Sequence, residues 1–223
     1  MAHDSWDVDK GMRLDIWSDV ICPWCFLGKR RLEAALAELP FGSDIEVRWR
    51  AFQLDPHAPE QPGDLRATLE RKYGPGAYDA MIRRLSTLGA DAGITYRFDI
   101  AQRVNTRRAH ELLAWAADIS ADDQDRLAER LFAAYFEEGA NVADHTTLRK
   151  AAVDVGLDEA RATEVLATGE FAGEVEADIR SAAEHQLTGV PAFVMGDALL
   201  ISGAQEVDTM VATLTRAHER FGV

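Results

Sequence analysis

Hydrophobic spacing switches repeatedly between a period of two and a helical period along this chain of 223 residues, and that pattern restricts the fold more than any single motif. Leu14, Ile16, Ser18 and Val20 alternate with Asp15, Trp17 and Asp19, with large residues on both sides. Ile45, Val47 and Trp49 alternate with Glu46, Arg48 and Arg50 and lead on towards Phe52 and Leu54. A repeat of two is that of a strand, whose side chains point to opposite faces in turn. Between these segments Leu27, Leu32, Ala35, Leu36 and Leu39 share a broad helical face, closed by Pro40 and Gly42. Lys29, Arg30, Arg31 and Glu33 fill the other side and read as its solvated surface. The opening is therefore β-α-β, preceded by a polar, acidic segment, residues 1–11, that reads as a mobile leader.

Pro56, Pro59 and Pro62 mark a loop, and from there to about residue 170 the period is helical throughout. Leu65, Leu69 and Tyr73 begin it, and Met81, Leu85 and Leu88 continue it to Gly89 and Gly93. Asn105 and Thr106 start a further helix, and Ser120 with Asp123 has the pattern of a helix N-cap. Two short helices follow, closed by Gly156 and Gly169. The last fifty residues change again. Val175, Ile179, Ala182 and Ala183 form a helical stripe that runs through Leu187 to Gly189. Two short apolar strands, 192–195 and 198–201, are joined by Gly196 and Asp197 as a two-residue hairpin turn. Ser202 and Gln205 resemble a capping box before a final helix with Val207, Met210, Val211 and Leu214. The tail is α-β-β-α. An α/β domain formed by residues 12–56 and 171–222, interrupted by a helical insertion over 57–170, is the organisation this predicts.

Cys22 and Cys25 are the two cysteines, and they sit at the first strand-to-helix junction as Cys22-Pro23-Trp24-Cys25. The chain is long enough, and at 47% hydrophobic residues apolar enough, to bury a core without disulfide staples. No apolar run reaches the roughly 20 residues of a membrane span. A formal net charge of −14 opposes binding to phosphate backbones and anionic membranes. The N-terminus lacks a basic segment followed by an apolar one, so a cytoplasmic location is expected. There, a cysteine pair points to catalysis, redox sensing or metal binding rather than a structural disulfide.

A cysteine at a helix N-terminus faces unpaired amide groups and the positive end of the helix dipole, which favour its thiolate. Cys22 is expected there as the exposed nucleophile. Cys25, one turn inside, is expected to be the buried resolving thiol. Pro23 suits a first helical position, which has no N–H partner to lose. Trp24 stands between the sulfurs and would shape substrate access.

The element order, the cysteine pair and the proline before the third strand resemble the thioredoxin superfamily, and the helical insertion resembles its DsbA-like group. The stretches Asp15-Ile16-Trp17-Ser18-Asp19-Val20-Ile21-Cys22-Pro23-Trp24-Cys25-Phe26-Leu27-Gly28 and Arg50-Ala51-Phe52-Gln53-Leu54-Asp55-Pro56 are most similar to the FrnE-like branch, as is Thr188-Gly189-Val190-Pro191-Ala192-Phe193. The resemblance covers about residues 12–220. It implies a thioredoxin-like fold and thiol–disulfide exchange with disulfide or thiol substrates. No bound cofactor is implied, and glutathione enters as redox partner or co-substrate. It also implies a cis Val190–Pro191 bond, with the ring against the cysteines and the Val190 backbone free to pair with a bound peptide.

Other residues carry weaker signals. Relatives often have an acid six residues before the first cysteine, where this chain has Ile16, with Asp15 adjacent and facing the other way. Asp19 would relay protons or orient the site, or be an exposed or capping aspartate. Asn105 would line the cleft between insertion and core, or cap its helix. His110, His145 and His185 are scattered and read as surface or packing residues. Two other functions share the motif. The same layout serves glutathione-dependent isomerases or transferases that use one thiol or a serine. Zinc needs four ligands, of which the pair supplies two, and no His or Asp stands at ligand-like spacing. A non-catalytic interaction module is opposed by the intact Cys-Pro-Trp-Cys.

Overall fold

A computed structural model describes residues 12–195 and 198–221. The leader and the Gly196-Asp197 turn expected from the sequence lie outside the described residues. Strand β1 (Met12–Ser18) and strand β2 (Ile45–Ala51) flank helix α1 (Pro23–Glu38). Six helices follow: α2 (Leu65–Tyr73), α3 (Ala77–Asp91), α4 (Arg107–Ile119), α5 (Ala121–Phe136), α6 (His145–Asp154) and α7 (Glu159–Thr168). Helix α8 (Ala172–Glu184), strands β3 (Ala192–Met195) and β4 (Ala198–Ser202), and helix α9 (Val207–Phe221) complete the chain. The four strands form one mixed sheet in the order β2-β1-β3-β4. β1 runs parallel to β2, with Ile16 opposite Trp49, and antiparallel to β3, with Ile16 opposite Phe193. This is the thioredoxin-like order expected, with the helical insertion between β2 and α8.

Both faces of the sheet are covered, which explains the large residues on both sides of β1. Leu14, Ile16, Phe193 and Met195 belong to the main core together with Phe26 and Leu32 of α1 and Met210 and Leu214 of α9. Trp17, Ala192 and Val194 face the opposite way and pack with Ala182 of α8. The Trp17 indole N–H donates to the Asp178 carbonyl oxygen at 2.9 Å, tying α8 to the sheet.

Three local expectations are corrected. The helix before β3 ends at Glu184 and not at Gly189, because Gln186 adopts a left-handed conformation with φ 55°. The Leu187 and Gln186 amides then close on the Ala182 and Ala183 carbonyls, the 6→1 and 5→2 pairs of a Schellman ending. Ser202 is the last residue of β4 rather than a helix cap, and Gln205 donates to the Ser202 backbone carbonyl. Lys29 and Arg31 are not part of a solvated face, whereas Glu33 is exposed. Lys29 is 1% exposed because α5 lies across this side of α1. Its Nζ pairs with Glu33, with Asp125 at 2.8 Å and with Glu129 at 3.5 Å, above the Trp49 ring. Arg31 donates to the Ala204 carbonyl and pairs with Glu206.

Candidate active site at the β1–α1 junction

Strand β1 ends at Ser18, and a turn closed by the Cys22 amide on the Asp19 carbonyl delivers the chain to α1. Cys22 is the N-cap residue, extended at φ −91° and ψ 112°, with Pro23 at the start of the helix. Its carbonyl accepts from the Cys25 amide at 3.0 Å and the Phe26 amide at 3.3 Å, so the cysteine is wound directly onto the first turn. No acidic side chain stands in that turn to oppose a thiolate. Both cysteines are free thiols.

Cys22 is 3% exposed, contrary to the exposed nucleophile expected from its helix-end position. The chain before β3 folds back over it. The Cys22 thiol donates to the Val190 carbonyl at 3.6 Å. The Val190–Pro191 peptide is cis. The proline ring lies against α1 beside Gly28, where an added Cβ would come within 3.0 Å of Pro191 Cγ, so α1 can approach this loop because residue 28 has no side chain. Trp24, half-buried, lies beneath the Arg84 guanidinium of α3, 5.0 Å from its ring centre.

Cys25 is fully buried. Burial pushes its thiol well above the ordinary range, and the hydrogen bond and charge of Cys22 add to this. Ser18 and the Asp19 backbone pull the other way without overcoming burial. Asp15 is absent from this neighbourhood. It pairs with Arg13 and Arg50 on the α8 side of the sheet.

Asp19 is completely buried, which corrects the exposed or capping alternative. Its Oδ2 accepts from the Leu54 amide at 2.8 Å and its Oδ1 lies 3.3 Å from His110 Nε2. His110 is thus a packed residue of α4, joined to the turn that carries the cysteines. Asn105 stands elsewhere. Its side chain accepts from the Arg107 amide at 2.9 Å and donates to the Pro56 and Ala58 carbonyls. It stitches the loop after β2 to the start of α4, while Thr106 is the N-cap residue.

Arg84 and Tyr96 also reach the active-site turn, and no sequence motif marks them. The Tyr96 hydroxyl donates to the Pro23 carbonyl, and its ring meets Phe26 edge-on at 6.1 Å. Burial and the two nearby thiols keep this phenol protonated far above its ordinary range. Ser18 is legible as a strand residue on the Leu14 and Ile16 face, but no local signal points from Arg84 or Tyr96 to cysteines so far back along the chain. Among the described residues, no group of three or more His, Cys, Asp or Glu side chains is placed to hold a metal ion. No described helix is long and apolar enough to cross a membrane.

The profile of the DSBA-like thioredoxin domain matches residues 13–215. A crystal structure from Streptomyces coelicolor, described as a probable DsbA oxidoreductase, is 35% identical and superimposes with a TM-score of 0.86, covering 93% of this chain and 90% of its own. The uncharacterized protein YwbO of Bacillus subtilis (strain 168) is 27% identical over 195 residues, 86% of this chain and 91% of that one. The cytosolic disulfide reductase DsbM of Pseudomonas aeruginosa shares the fold at 18% identity and a TM-score of 0.68, over 93% of this chain and 99% of its own.

Proposed function

Since the chain belongs to the DSBA-like thioredoxin domain family, we propose that it exchanges or isomerises disulfides through Cys22 and Cys25. The observation that carries this reading is the N-cap position of Cys22 beside a buried, proton-retaining Cys25. The Cys22 thiolate attacks one sulfur of a substrate disulfide. A Cys22–substrate bond forms and the second substrate sulfur leaves with the electron pair. Cys25 then loses its proton and attacks Cys22 sulfur. The intramolecular disulfide closes and the remaining substrate sulfur departs as a thiolate that takes up a proton. Run backwards, the same steps oxidise a dithiol substrate.

The half-buried Trp24 and Val190 flank the covered Cys22 sulfur, so substrate approaches across them. The Val190 backbone offers a short strand-like partner to an extended peptide. Arg84 and Tyr96 come from the insertion, which therefore shapes the cleft. Protein or small-molecule disulfides fit this chemistry. Two molecules of glutathione, or one of a dithiol carrier, supply the redox equivalents in the cytoplasm, and no bound cofactor takes part. The Asp15–Gly28 and Thr188–Phe193 stretches support placement on the FrnE-like branch.

The test is a titration in graded reduced and oxidised glutathione, read by tryptophan fluorescence and by mass. The wild type is expected to show a single two-electron transition. Cys22→Ser is expected to form no mixed disulfide, and Cys25→Ser to accumulate one without resolving it. Full turnover in Cys25→Ser would overturn the dithiol mechanism in favour of single-thiol glutathione chemistry.

A further inference from the structure

The chain carries a formal net charge of −14, and most of its described arginines are paired with carboxylates. Arg31 of α1 pairs with Glu206, Arg66 of α2 with Asp79, and Arg103 with Asp55. Arg71 and Lys72 at the end of α2, and Arg83 and Arg84 on α3, have no carboxylate partner among the described residues. One of these four meets the active-site turn. The Arg84 guanidinium lies over the Trp24 ring, 5.0 Å from its centre, and Trp24 stands on the first turn of α1 just after Cys22 and Pro23.

The residues one turn away from Arg84 on α3 are Ala80, Met81, Thr87 and Leu88, none of them charged. Asp79 is engaged by Arg66, and Asp91 lies about two turns further along the helix. A guanidinium over an indole is attracted by the electron-rich face of the ring and spends no N–H donor on the contact. Arg84 is exposed and donates no hydrogen bond to a described residue, so its N–H groups remain open to solvent. The planar fork of those groups matches the two oxygens of a carboxylate.

We propose that Arg84 is a specificity-determining residue that binds a carboxylate carried by the substrate beside its disulfide, so that the site favours acidic thiols and disulfides over neutral ones. The inference deepens the exchange reading above and rests on its first step, the attack by Cys22. The carboxylate docks on the open N–H groups of Arg84 while the neighbouring sulfur meets Cys22, and no bond is made or broken at Arg84. The acidic surface of the molecule repels such a substrate at long range. An unpaired cation held on a half-buried ring at the active-site turn offsets that repulsion where the chemistry takes place, and its contact with Trp24 restricts the side chain before substrate arrives. The carboxylate belongs either to a small disulfide or to the residue beside a cysteine in a protein, and Arg84 recognises the same group in both.

The experiment uses stopped flow to measure the rates at which reduced protein releases thiol from two aryl disulfides, the dicarboxylate dithiobis(nitrobenzoate) and the uncharged dithiodipyridine. The readout is the ratio of the first rate to the second. Arg84→Gln is expected to lower this ratio by about fivefold, the upper range for one solvent-exposed ion pair, and the difference from wild type is expected to shrink in about 1 M salt. Arg84→Lys keeps the charge without the fork and is expected to fall between the two. Arg83→Gln removes the same charge one residue earlier on α3, where no contact with Trp24 is made, and is expected to leave the ratio near that of the wild type. Peptide disulfides with glutamate or glutamine beside the cysteine separate the sources. A glutamate preference lost in Arg84→Gln extends the site to protein substrates, whereas an Arg84 effect confined to the aryl disulfides assigns it to small molecules. Equal ratios in wild type and Arg84→Gln, or an equal loss in Arg83→Gln, would overturn the proposal while leaving the exchange reading standing. No release from either disulfide by the wild type, or undiminished release by Cys22→Ser, would overturn the exchange reading and the proposal with it.

Discussion

The two thiols of the site share one helical turn and differ in what surrounds them. Cys22 ends a turn at the helix N-terminus, whereas Cys25 is fully enclosed and keeps its proton well above the ordinary thiol range, first because of burial and then because of Cys22. The sign of the effect on stability follows. In the unfolded chain Cys25 ionises near about 8.5, while in the reduced folded protein it stays protonated to higher pH. Above the unfolded value the unfolded state binds fewer protons, so stability falls as pH rises, by up to about 1.4 kcal/mol per pH unit. Urea unfolding of the reduced protein between about pH 7 and 10 is expected to show this decline, and Cys25→Ser to show a shallower one. Equal slopes in the two proteins would contradict the assignment. The pair itself was legible from residue spacing. The burial of Asp19 was not, because the groups that satisfy it, the Leu54 amide and His110, come from other parts of the chain.

Helices α1 and α5 each carry a charged stripe that reads as surface when taken alone. Docked, the stripes enclose the Lys29 ammonium within a ring of partly exposed carboxylates. Lys29 pairs with Glu33, Asp125 and Glu129, while Arg30 pairs with Glu129. Burial by itself pulls the Lys29 pKa down. The Asp125 and Glu33 carboxylates outweigh it and hold the ammonium charged. Removing one member strands the others, and Asp125 and Glu129 are partly solvated, which softens the loss. Lys29→Met is therefore expected to cost about 2–4 kcal/mol in denaturant unfolding, with the sheet's far-UV signal retained in water. A cost near zero would show that the cluster is only a surface pairing. The corrected helix ending at Gln186 has the same lesson at a smaller scale. A glycine three residues further on was the better sequence candidate, yet the Schellman hydrogen bonds closed on a residue that tolerates φ 55°.

The insertion divides the chain in sequence without dividing its core. Phe26 of α1 stacks on Phe132 and Phe136 of α5 at 5.1 and 6.2 Å, and Trp49 of β2 meets Phe132 edge-on. Gln124 of α5 also bonds the Trp49 backbone at both its amide and its carbonyl. Sheet and insertion are therefore expected to unfold together. Tryptophan fluorescence and far-UV circular dichroism should trace one coincident urea transition, whereas two separated transitions would show that the insertion is an independent unit.

The order of elements, the strand-to-helix junction and the cysteine pair were all determined by the sequence alone, since each depends on spacing within a few residues of the chain. The covering of Cys22 by Val190, the reach of Tyr96 and Arg84 to the active-site turn, the Lys29 cluster and the Asp19–His110 pair were decided only by tertiary structure. Each joins residues far apart along the chain. Whether a charged side chain faces water or a partner depends on the surface brought against it, which local periodicity does not encode.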